Sequence, residues 1–117
     1  MNMNIELTRF KVKPNKSEKV DEWLQFLREH MAEIEQDLLL ERMYVETIFR
    51  ETWNGEEYLY WYSVQGENGL AIEENPSRVA KQHLAYWDEC IDESYGAVDL
   101  KTEVVMIPSR VRNSMDY

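Results

Sequence analysis

Asn54-Gly55 stands between two runs rich in aromatic and β-branched residues, 43–53 and 56–64. The pair supplies the two positive-φ positions of a type I′ turn, so the flanking runs are predicted to form a β-hairpin. Alternation sorts the side chains of each strand. Met43, Val45, Thr47 and Phe49 share one face of the first strand, and Tyr44, Glu46, Ile48 and Arg50 the other. On the second strand Leu59, Trp61 and Ser63 oppose Tyr58, Tyr60 and Tyr62. The Val45/Phe49 and Leu59/Trp61 sets read as core. The expected opposite face mixes tyrosine rings with the Glu46 carboxylate and the Arg50 guanidinium.

The rest of the chain supplies partners for the hairpin. Residues 4–13 alternate and read as a strand that Pro14 ends; Ile5, Leu7, Arg9 and Glu6, Thr8, Phe10, Val12 compete equally for its inner face. Asn15 followed by Glu18 resembles a capping box, and Val20, Trp23, Leu24, Leu27, Met31, Ile34 and Leu38 then recur at helical spacing. One amphipathic helix of about six turns is expected. Residues 66–75 read as a loop that could act as a lid, with Gly66 and Gly69 as breakers. Asn75-Pro76 starts a second helix, striped by Val79, Ala80, His83, Leu84, Trp87 and Ile91. After Gly96, residues 97–107 alternate as a last strand up to Pro108.

The predicted order is therefore β-α-β-β-α-β. This is the ferredoxin-like, split βαβ form of an α+β fold: a four-stranded antiparallel sheet with two helices on one face. The expected strand order is 4-1-3-2. Residues 1–117 are read as a single domain, with 108–117 as a C-terminal tail. The helices would cover Val45/Phe49, Leu59/Trp61 and Leu100/Val104. The sheet's other face would expose Tyr44, Ile48, Tyr58, Tyr60, Tyr62, Val64, Val105 and Ile107, joined by Phe10 and Val12. A patch of that size is rarely left open on a monomer, so a homodimer is expected, with the sheets packed face to face or closed into a barrel.

Charge and cysteine content narrow the classes. The net charge is −10, with 23 acidic against 13 basic residues and no basic cluster, which argues against nucleic acid and anionic membranes. No apolar run approaches the roughly 18 residues that span a bilayer. The start of the chain lacks the pattern of a signal peptide. The lone Cys90 allows no internal disulfide, so a cytoplasmic location is expected.

Four segments, residues 43–50, 57–62, 83–91 and 101–108, together resemble the dimeric α+β-barrel superfamily, which includes antibiotic-biosynthesis-type monooxygenases and small sugar mutarotases. More narrowly the chain resembles a family of short bacterial proteins of unknown function. The resemblance implies the fold and the dimer, not an activity.

His83, one turn before Trp87, is read either as an acid or base in a helix–sheet pocket or as a core histidine held by a hydrogen bond. Glu46 and Arg50 lie about 13 Å apart along their strand and cannot pair directly. With Tyr58, Tyr60 and Tyr62 they are expected either to line a polar pocket or to form ion pairs and hydrogen bonds across the dimer. Cys90 lies about 10 Å of helical rise from His83, too far for a catalytic couple or a shared metal, and reads as a small buried side chain. No metal-binding spacing occurs, and no cofactor is expected. Two readings of function follow. The first is a small-molecule-binding protein, with Glu46, Arg50, Tyr58, Tyr60, Tyr62 and Trp87 as ligand contacts. The alternative is a cofactor-independent monooxygenase- or isomerase-like enzyme with His83 as its proton-transfer residue. A dimer acting only as an interaction module is the structural option.

Overall fold

The computed structural model describes residues 3–115. In chain order these form β1 (Met3–Lys11), α1 (Ser17–Glu29), α2 (Met31–Glu41), β2 (Met43–Trp53), β3 (Glu56–Gly66), α3 (Arg78–Cys90), β4 (Val98–Leu100) and α4 (Ser109–Ser114). The architecture is α+β. An antiparallel four-stranded sheet runs β2-β3-β1-β4 and carries the helices, an arrangement compatible with the ferredoxin-like one.

Asn54 (φ 57°) and Gly55 (φ 78°) both take positive φ, and the two-residue turn pairs Trp53 with Glu56. That pairing fixes the cross-strand neighbours as far as Val45, beyond which the register shifts and Met43 lies opposite Gln65. Glu46 lies opposite Ser63, Ile48 opposite Trp61, and Arg50 opposite Leu59. Across β3, Glu6, Thr8 and Phe10 of β1 oppose Ser63, Trp61 and Leu59. These rows make the face toward the helices.

The expected faces of β2 are thereby corrected. Phe49 pairs with Tyr60 and is 54% exposed on the far side, while Ile48 packs against the core. Leu100 likewise lies opposite Leu7 on the far face, and Asp99 faces the helix side, where its carboxylate accepts from the Thr8 hydroxyl at 2.8 Å. Phe10 packs on the core, and Val12 and Val64, also expected on the open face, are buried.

The core gathers Val12, Val20, Trp23, Leu59, Tyr86, Cys90 and Ile91. Trp23 has no exposed surface and touches Trp61, Trp87 and Tyr86 with ring centroids 5.7, 5.9 and 6.4 Å away. Truncating so buried a ring to alanine costs about 3–5 kcal/mol.

The long first helix is broken. At His30 (φ −110°) both the amide and ring Nδ1 address the Phe26 carbonyl, at 3.1 and 2.8 Å, and the chain re-enters a helix at Met31. Asn15 does not cap α1; it takes positive φ and Lys16 occupies the cap position. Ser77 rather than Asn75 caps α3, its hydroxyl accepting from the Ala80 amide at 3.0 Å. The last strand is three residues long, and residues 109–114 of the expected tail are helical.

Residues 66–75 are tied down rather than free. The Gly66 and Leu70 amides donate to the Arg42 and Leu40 carbonyls at 2.8 and 3.0 Å. Gly69 passes so close to Glu41 that a Cβ would overlap its carbonyl oxygen. These contacts hold the first half of the segment against the end of α2. Among the described residues, no helix is long and apolar enough to cross a membrane.

Candidate functional site

A cavity of about 740 Å³ lies between α3, residues 70–73 and the helix-facing rows of β1, β2 and β3. Pockets of several hundred Å³ are the size that encloses small organic ligands. Phe10, Trp61 and Trp87 form its aromatic wall, with Trp87 edge-on to both Phe10 (4.6 Å) and Trp61 (5.1 Å). Glu46, Ser63 and Gln65 line the sheet side, and His83 and Leu84 the α3 side. His83 and Trp87 share the α3 face because four residues make about one turn.

His83 is held from behind. The Trp23 indole N–H donates to its Nδ1 at 2.9 Å. An indole N–H can only donate, so Nδ1 must accept, and the neutral ring carries its proton on Nε2. Charging the ring requires a proton on Nδ1 and breaks that bond. Burial also disfavours the cation and lowers the His83 pKa to about 4. At neutral pH the site therefore holds an uncharged imidazole with one N–H to donate.

Glu46 is shifted the other way. Burial raises its pKa to about 7, the charge of Glu41 adds to that rise, and a hydrogen bond from Trp61 opposes it. A carboxyl that titrates near pH 7 can take or give a proton under ordinary conditions. Glu41, at the end of α2, is 5% exposed, and its Oε2 accepts from the Asn75 amide at 3.0 Å. Burial holds the Glu41 carboxyl above the usual range, and the Asn75 bond pulls against it. A buried polar set completes this end: Asn75 Oδ1 accepts from the Ser77 amide, and the Ser77 hydroxyl donates to Asp37 at 2.9 Å. It fixes the start of α3, and with it His83, against the end of α2.

Of the residues singled out from the sequence, the fold brings His83, Trp87 and Glu46 to this cavity. The expected grouping of Glu46 and Arg50 with the three tyrosines is overturned by the hairpin register. Tyr58, Tyr60 and Tyr62 point to the opposite face, where Tyr60 donates to Glu51 at 2.7 Å and Tyr58 lies under the Arg9 guanidinium. Arg50 is on the helix-facing row but at its outer end. There it bonds Asp21 at 2.5 Å, Glu57 at 3.0 Å and the Ser17 carbonyl at 3.0 Å.

Sequence reasoning missed Glu41, Ser63 and the Trp23 support, while Glu6 lies on the face of β1 that competed equally for the inside. The turn register would have found Ser63 beside Glu46. Trp23 and His83, sixty residues apart, leave no local trace of their bond. Among the described residues, no group of three or more His, Cys, Asp or Glu is placed to hold a metal ion.

A search of curated proteins found no match. A family model described as a family of unknown function (DUF6176) matches residues 3–113, nearly the whole chain. The chain belongs to that family of unknown function.

Proposed function

We propose that this protein binds a small organic molecule in the helix–sheet cavity, working as a cytoplasmic homodimer of single ferredoxin-like domains of the dimeric α+β-barrel kind. One observation carries the ligand reading: a cavity of about 740 Å³ in which an aromatic wall meets Glu46 and His83. Apolar wall for area and a few convergent polar groups for orientation is the usual make-up of a ligand site. The homodimer is supported by the sheet's far face, where Phe49, Val98 and Leu100 are 54, 36 and 42% exposed beside the tyrosine row. Native mass spectrometry of the protein as purified tests both parts. A mass of twice 14.1 kDa plus a retained small molecule is expected. A bare monomer that binds nothing from a fragment library would overturn the reading.

A second reading, catalysis, is favoured by the opposite shifts of Glu46 and His83. Neighbouring groups pushed apart in this way divide acid–base roles. The Glu46 carboxylate would remove a proton from the carbon beside a carbonyl while the His83 Nε2–H donates to the carbonyl oxygen. The same proton returned to a neighbouring atom makes the net reaction an isomerisation. This assigns proton transfer to Glu46 and leaves His83 as the neutral donor. Incubation with ketones in D2O should place deuterium at the α-carbon with the native protein and not with Glu46→Gln. Equal exchange by both proteins would remove Glu46 from the chemistry.

A further inference from the structure

The cavity's charge points to one class of ligand. Six acidic side chains among the described residues line it: Glu6, Glu41, Glu46, Glu73, Asp88 and Glu93. Among the described residues, no lysine or arginine joins them in the lining, and none of the six is in an ion pair. Lys13, close by, donates to the Asp88 backbone carbonyl and not to a carboxylate. The sheet's own cations are spent elsewhere: Lys11 on Glu56, and Arg50 on Asp21 and Glu57. Carboxylates elsewhere on the chain, such as Glu22 and Glu89, do have lysine partners. Glu6, Glu73, Asp88 and Glu93 are exposed at the rim and screened by solvent, while Glu41 and Glu46 are the enclosed pair. Above about pH 7, where Glu46 is ionised, the lining is negative, which repels an anion and draws in a cation.

The wall agrees with that sign. Phe10, Trp61 and Trp87 present aromatic surface to the same space. Aromatic faces attract a cation through the ring quadrupole, most strongly where water is excluded. They also pack against an apolar body. The one imidazole present, His83, accepts on Nδ1 from Trp23 and so brings no positive charge of its own.

Resting on the ligand-binding reading, we infer that the cavity takes a small organic cation, an amine or amidine carried on an aromatic or aliphatic body. The charged group lies between Glu41 and Glu46 and the body against Trp61, Trp87 and Phe10. A cation there lowers the cost of holding these carboxylates together, because opposite charge favours their ionised forms. Binding then expels the proton from Glu46 and tightens as pH rises through neutrality.

Benzylammonium, benzyl alcohol and benzoate share one ring and differ in charge, so they separate the class from the pocket. Each is titrated at pH 8, and the indole N–H resonances of Trp61 and Trp87 are followed by NMR. Benzylammonium is expected to bind about tenfold tighter than the alcohol, and benzoate more weakly still. Glu46→Gln should weaken benzylammonium about tenfold and leave the alcohol within about twofold. Equal binding of all three, or a preference for benzoate, overturns the cation class and keeps the pocket. Unchanged benzylammonium binding by Glu46→Gln overturns Glu46 as the counter-charge. If none of the three moves either resonance, the ligand-binding reading falls with it.

Discussion

Trp23 and His83 are joined by a 2.9 Å hydrogen bond in which the indole donates and Nδ1 accepts. The bond decides the tautomer and the charge of the only histidine that lines the cavity. Nitrogen-15 NMR should therefore show an Nε2–H tautomer from pH 5 to 8, with titration near 4. Trp23→Phe removes the donor that favours the neutral ring and should raise the His83 pKa, while burial keeps it below the ordinary value near 6.5. A native His83 that titrates near 6.5 would contradict both the bond and the burial.

Glu46 and His83 make opposing contributions to stability as pH changes. The Glu46 pKa is raised in the fold to about 7, so the native state binds the extra proton between about 4.5 and 7. Its contribution is fully present below pH 4.5 and is lost as pH rises through 7. The His83 pKa is lowered to about 4, so the unfolded state binds the extra proton between about 4 and 6.5. That contribution is present above 6.5 and is lost as pH falls through 4. Over most of the window the two slopes cancel. Glu46→Gln should unmask a stability that rises with pH from 4 to 6.5, and should exceed the native protein at pH 8 by about 3 kcal/mol. His83→Gln should unmask a fall with rising pH between 4.5 and 7. Urea unfolding at each pH step reads both; difference profiles flat in pH would show that neither group is shifted.

The same pair measures how far the sequence alone could reach. The hairpin, two amphipathic helical stripes and the start of the last strand were legible from turn chemistry and periodicity. The inner face of β2 was not, because Val45 and Phe49 look more like core than Glu46 and Arg50 do, and carboxylates are rarely buried. Yet the turn already held the answer. A two-residue Asn-Gly loop pairs Trp53 with Glu56, hence Ile48 with Trp61 and Glu46 with Ser63. Register outweighed composition, and the residues it turned inward are those of the candidate site. The short β4 had no comparable signal, since its pairing with β1 joins residues about ninety positions apart. The break at His30 is local, held by the Phe26 carbonyl, but the apolar stripe runs through it without interruption.

The proposed homodimer makes the sheet's far face its interface. Tyr60 stands in the middle of that face, opposite Phe49 and Arg9 on its two neighbouring strands. Tyr60→Glu would bury a carboxylate against the partner beside Glu51, a cost that the single Arg9 guanidinium opposite, already bonded to Tyr95, offsets only in part. Native mass spectrometry should then find monomer where the unaltered protein is dimeric, while the far-UV circular dichroism is kept. An unchanged dimer would place the interface elsewhere, for instance on the exposed Leu39 and Leu40 of α2.

Arg50 tests whether a residue on the cavity's side of the sheet belongs to the cavity. Its guanidinium ties the hairpin to the start of α1 through Asp21, Glu57 and the Ser17 carbonyl. The side chain is 29% exposed, so solvent screens these ion pairs and several bonds together are worth about 1 kcal/mol. Glu57 is the more enclosed partner, 13% exposed, and bears most of the loss when the cation goes. Arg50→Met should lower stability by about that amount while leaving benzylammonium affinity within about twofold. The double variant Arg50→Met/Glu57→Gln should recover part of the stability, because the uncompensated carboxylate is removed with its partner. A large loss of affinity from Arg50→Met at unchanged stability would instead bring Arg50 into the ligand site, and with it a place for an anionic group.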